Sequence, residues 1–226
     1  MPSLPLRTFF SLSRYDGIAT VILMNQLSTR EVEKIVAHVF DVPDTDKLAL
    51  RARLENLRKK GCPHGLATGR GKVAKFDFEQ LADVSIALAL IDAGLSPDYA
   101  VSAVEDTDGV VRECFGLLAQ HGLSTDELGA AVDAGEWPAT KTVTAWCCMH
   151  RLLSIPRDIA VRVATWVASA SFGDQQPVDV PFSAVRIDVG ALFVRLVKAI
   201  SFVTEIDVIE LAEGLLAQAE EYVVHP

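Results

Sequence analysis

Arg51-Ala52-Arg53-Leu54-Glu55-Asn56-Leu57-Arg58-Lys59-Lys60-Gly61 carries two patterns at once. Leu50, Leu54 and Leu57 recur at helical spacing, which gives one apolar stripe, and Gly61 is placed to end the helix. Arg51, Arg53, Arg58, Lys59 and Lys60 lie mainly off that stripe and make the remaining surface positive. After a short loop, Cys62-Pro63-His64-Gly65, positive charge continues through the Gly-rich turn Thr68-Gly69-Arg70-Gly71-Lys72. That turn reads as the tip of a two-stranded hairpin ending at Lys75-Phe76. A charged run is commonly a solvated face and no more. Here the charge runs on into the hairpin, and that continuation points to duplex DNA. The helix suits the major groove, and the hairpin reaches neighbouring phosphates. The expected contacts are Arg51, Arg53, Arg58, Lys59 and Lys60 on the helix with Arg70, Lys72 and Lys75 on the wing.

The flanking segments supply a scaffold for such a helix. Ser28 with Glu31 three residues on is a capping box, followed by Val32, Ile35, Val36, Val39 and Phe40 as one apolar face. This first helix braces the second, which starts near Asp44 or Thr45. A third helix is expected from Phe78 to Ala93, capped by Asp77 and closed by Gly94. A fourth begins at Ser96-Pro97, a cap followed by proline at the first helical position, and runs to Glu105.

The order of these elements resembles the MerR family of winged-helix regulators. The likeness is carried by Phe76-Asp77-Phe78-Glu79-Gln80-Leu81, by Gly94-Leu95-Ser96-Pro97-Asp98, and by the apolar positions Val84, Ile86 and Leu90. Glu31-Val32 in the first helix and the spacing from Leu54 to Gly61 add to it. The resemblance covers Ser28 to Glu105 and implies a winged helix-turn-helix with a transcriptional role. Three features depart from the family pattern. The link Asp41–Asp46 is longer than the family's turn, Glu55-Asn56 stands where an aromatic pair is common, and Ala74 replaces an arginine of the wing.

Charge divides along the chain in the same way. Residues 28–75 carry eleven Lys and Arg against six Asp and Glu, whereas residues 76–226 carry eight against twenty-three. The net charge of −9 therefore hides a basic block joined to an acidic remainder that repels DNA and confines binding to one face. Four cysteines at 62, 114, 147 and 148 are too scattered for a disulfide framework, which favours a reducing, cytoplasmic setting. The apolar stretch from Phe182 to Val203 is interrupted by Arg186, Asp188, Arg195 and Lys198, so no membrane span is expected.

Outside the basic block the sequence predicts helices over Val110–Gln120, Ser124–Ala134, Ala139–Leu153 and Arg157–Ser171. A short strand over Phe182–Ile187, a helix from Asp188 to Phe202 and a last helix from Thr204 to Tyr222 follow. Cys147-Cys148-Met149-His150 invites a metal reading, but neighbouring residues on a helix diverge, so buried thiols are the expectation. No nucleophile elbow, paired-carboxylate motif or phosphate loop is present in the sequence, and neither catalysis nor a cofactor is expected.

Together these observations describe a mainly α protein: a winged helix-turn-helix with a small β-hairpin wing, then an all-α or mostly α C-terminal domain. The expected divisions are an N-terminal extension (1–27), with Met24 as a candidate true start, a DNA-binding domain (28–108) and an acidic helical domain (109–226). The expected function is sequence-specific DNA binding in transcriptional control. An excisionase-like architectural DNA binder and a protein-interaction module on a winged helix are the alternatives. The expected partners are double-stranded DNA and a second copy of the chain, with RNA polymerase or a small-molecule effector also admitted. Ile209, Ala212, Leu216, Ala219 and Val223 offer a heptad seam for the dimer, or a stripe that closes the monomer's own core.

Overall fold

The structure is a computed structural model. It describes residues 27–66, 74–105, 110–120, 123–138, 141–149, 164–172 and 184–220. The proposed start at Met24, the wing tip with Arg70 and Lys72, and the break at Asp106–Gly109 lie outside the described residues.

The described residues form eight α-helices and five short or medium strands, so the protein is mainly helical. Strand β1 (Leu27–Ser28) leads into helix α1 (Thr29–Val39). The Ser28 hydroxyl accepts from the Glu31 amide and the Glu31 carboxylate accepts from the Ser28 amide, which completes the capping box. A single 3-10 turn, Asp44–Asp46, connects to helix α2 (Lys47–Lys59), whose buried residues are Leu50, Leu54 and Leu57. Gly61 takes a positive φ of 94° just past the helix, a conformation that favours glycine. Strand β2 (Lys75–Phe76) is followed by helix α3 (Phe78–Asp92), with a second capping box at Asp77 and Gln80, and helix α4 (Pro97–Glu105).

The strand at Lys75–Phe76 has a partner that the sequence did not suggest. It pairs antiparallel with Leu27–Ser28, Leu27 opposite Phe76 and Ser28 opposite Lys75. Leu27 and Phe76 are both buried, so the chain entering α1 is pinned to the chain entering α3 through an apolar cross-strand pair. Residues 67–73, where the expected hairpin partner would lie, are outside the described set.

The C-terminal half departs further from expectation. Helices α5 (Val110–Gln120) and α6 (Thr125–Ala134) are where the sequence placed them, but the next two segments are strands. Strands β3 (Lys141–Met149), β4 (Ala164–Phe172) and β5 (Ala184–Asp188) form an antiparallel sheet in the order β4-β3-β5. The expected helices over 139–153 and 157–171 are thus corrected to strands over the described residues 141–149 and 164–171. Val143, Thr144, Ala145 and Cys147 are buried in this central strand, and Val, Thr and Trp in the run favour a pleated surface. Cys147 is therefore a buried strand residue, and its helical spacing to His150 no longer applies; His150 is outside the described residues.

Helix α7 (Val189–Thr204) begins at Asp188, whose carboxylate accepts from the Ala191 amide, and helix α8 (Val208–Glu220) completes the described fold. Helix α7 packs on β3 and on α1, and α8 packs on α5, α6 and α7. An aromatic cluster of Phe78, Phe115, Trp137 and Phe193 ties α3, α5 and α7 together with ring centroids 5.2 to 6.4 Å apart. The buried residues form one contiguous core from Leu27 to Ala219 that includes both halves of the chain. Among the stripe residues of α8, Ala212 and Ala219 are fully enclosed, while Leu216 packs partly against the same core. The stripe closes the chain's own interior, and Val223 lies outside the described residues.

Candidate nucleic-acid interface

Helix α2 is held by three leucines on its inner side, so its other sides are free to present charge. Arg51, Arg53 and Lys59 are exposed, and Arg58 and Lys60 are half-buried. Helix α1 lies along one flank of α2, where Arg51 Nε sits 3.7 Å from the Glu33 carboxylate. Helix α4 lies on the other flank, where the Lys60 ammonium pairs with Asp98. Lys59 pairs with Glu55 one turn back at 3.0 Å, and this contact holds the Glu55 carboxyl below the usual carboxylate range. Arg53 makes no hydrogen bond or ion pair with a described residue. The Arg58 Nε is buried without a hydrogen-bond partner among the described residues, beside a groove shared with Thr29, Glu33 and Lys59.

The expected wing residues divide in two. Lys75 is exposed on β2, and its charge acts on Glu31 across the strand pair. Glu31 is held below its ordinary range chiefly by the Ser28 side-chain hydrogen bond, then by the Ser28 amide. Arg70 and Lys72 fall outside the described residues.

Two further cations belong to the same face and were missed in the sequence. Arg30 and Lys34 are exposed on α1 and, with Glu33 of the same helix, line a groove whose opposite wall carries Lys47 and Arg51 of α2. Neither Arg30 nor Lys34 makes an ion pair with a described residue. Their spacing of one helical turn, opposite the apolar stripe of α1, was the signal available. The acids on this face are Glu33, Glu55 and Asp44, each beside a cation; Asp44 lies 2.5 Å from Lys47.

The described residues hold no group of three or more His, Cys, Asp or Glu side chains able to bind a metal. The Cys62 thiol is buried and pushed up to about 12 by desolvation and by the charges of Asp83 and Glu105, so it is a poor nucleophile. No helix among the described residues is long and apolar enough to cross a membrane. Comparison with protein-family models found no match, and searches of curated proteins and of solved structures found none either.

Proposed function

We propose that the chain is a sequence-specific DNA-binding transcriptional regulator of MerR-like type. The observation that carries this reading is helix α2 itself: a helix fixed by Leu50, Leu54 and Leu57 that turns Arg51, Arg53 and Lys59 to solvent. The strand pair sets Lys75, the last cation of the expected wing, opposite Ser28 at the start of α1, and Arg30 and Lys34 extend the positive surface onto that helix. Cations on a rigid helix contact phosphates at little ordering cost, and the acidic remainder of the chain limits which face approaches DNA. In this reading the winged helix-turn-helix works in the cytoplasm as half of a homodimer, so that two copies span two half-sites.

The test uses two exposed residues whose removal leaves the leucine stripe intact. Arg53→Ala with Lys59→Ala is expected to weaken duplex binding and to flatten its salt dependence by about 0.9 in slope for each phosphate no longer neutralised. Binding by titration at several salt concentrations reads both quantities. A wild-type chain with no affinity for any duplex would leave the interaction-module alternative in its place.

A further inference from the structure

The geometry points to a neutral crest on helix α2 that reads A·T base pairs, using thymine methyl groups and one adenine edge; this inference rests on the DNA-binding reading above. Of the helix cations Arg51, Arg53, Arg58, Lys59 and Lys60, only Lys59 stands on the side most remote from the leucine stripe. Arg51 reaches toward α1 and Lys60 toward α4, which puts them on opposite flanks. By helical periodicity Arg58 accompanies Arg51, and Arg53 accompanies Lys60. Between the flanks stand Leu48, Ala49, Ala52, Glu55, Asn56 and Lys59, all exposed. Glu55 and Lys59 neutralise one another at 3.0 Å. What remains on the crest is apolar or amide: Leu48, which is 78% exposed, Ala49, Ala52 and Asn56.

A helix that bound a polyanion by charge alone would carry cations along its crest. This one carries Arg51, Arg53, Arg58 and Lys60 to either side, where the two phosphate walls of a major groove would stand, and leaves the centre, apart from the Glu55–Lys59 pair, for base edges. Apolar side chains there match the thymine C5 methyl, which only A·T pairs present in that groove, and an asparagine amide matches N6 and N7 of adenine. Leu48, Ala49 and Ala52 belong to the first half of the helix, the part that enters deepest when a recognition helix docks. No ion pair or hydrogen bond to a described residue holds the Asn56 side chain, so its amide is available.

The experiment is a selection of bound duplexes from a random pool by the full chain, followed by binding to a recovered duplex in which uracil replaces each thymine in turn. Recovered sites are expected to share A·T pairs, and removal of a methyl at one or more of them to weaken binding severalfold. Asn56→Ala is expected to remove about fivefold to a hundredfold of the preference for one A·T pair over G·C. Leu48→Ala should bring the thymine and uracil duplexes closer in affinity, whereas Arg53→Ala should weaken both alike; a purely structural effect would not alter that ratio. Sites without shared A·T pairs, or equal binding of thymine and uracil duplexes, would overturn the base readout while leaving DNA binding intact. Recovery of no duplex would overturn the DNA-binding reading, and this inference with it.

Discussion

Cys62 shows how a single side chain records its surroundings. Its thiol is 2% exposed, and burial with two nearby carboxylates raises its pKa from 9.0 to about 12. Because the folded value lies above the unfolded one, the neutral thiol contributes its full stability below pH 9 and loses it as pH rises toward 12. Two outcomes are expected. Native protein at pH 8 should react with a thiol reagent far more slowly than urea-unfolded protein. The urea midpoint should also fall between pH 8 and pH 10.5 by more in the wild type than in Cys62→Ala. The same thiol looked like a loop cysteine in the sequence, because Gly61, Pro63 and Gly65 around it signal a turn. Only the packing of the turn against neighbouring helices decides that it is enclosed, and that packing has no local signature.

Elements whose ends are chemically marked were legible. Ser28 with Glu31, Asp77 with Gln80, and Ser124 with Glu127 are all capping boxes with both hydrogen bonds formed. Ser28→Ala is expected to cost about 1 kcal/mol. It should also reduce the loss of stability in acid, since the Glu31 carboxyl would return toward its ordinary value of 4.5. In the wild type that depressed carboxyl adds stability above pH 4.5, which disappears as pH falls through its folded value. Chemical denaturation at pH 7 and pH 4 reads both effects. The strands at 141–149 and 164–172 were not legible, for a related reason. Alanines at 145, 164, 168 and 170 favour helix taken alone, and β3 becomes a buried central strand only once β4 and β5 pair with it. As for the candidate interface, its charge was readable in the sequence, but the division of that charge into two flanks was not. That division depends on which helix lies on each side of α2.

The contiguous core implies that the two halves of the chain unfold together. Phe193 sits within 6.1 to 6.4 Å of Phe78, Phe115 and Trp137, which come from both halves. Phe193→Ala is expected to destabilise the protein by about 3–5 kcal/mol. Both secondary structure and tryptophan fluorescence should report one coincident transition; two separate transitions would show that the halves are independent. Since α8 gives its alanines and Leu211 to the chain's own core, Leu216→Glu is expected to destabilise the monomer more than it weakens a dimer. Light scattering at micromolar concentration should give a dimer mass for the wild type, and a monomer mass would remove self-association from the proposal.

Arg195 has a consequence in time. Its Nη1 donates to the Val39 carbonyl at 3.2 Å, across a separation of 156 residues, and lies 3.7 Å from the Asp41 carboxylate. Close by, His38 and Phe202 stack with ring centroids 5.0 Å apart. The end of α1 is therefore finished by residues that leave the ribosome long after it does. At about 5–20 residues per second, the delay is roughly 8–30 s. For that interval the last turn of the first helix has not met its brace. A nascent chain acquires its charge early and the rigidity to aim it late, so synthesis itself separates the appearance of the basic face from its completion.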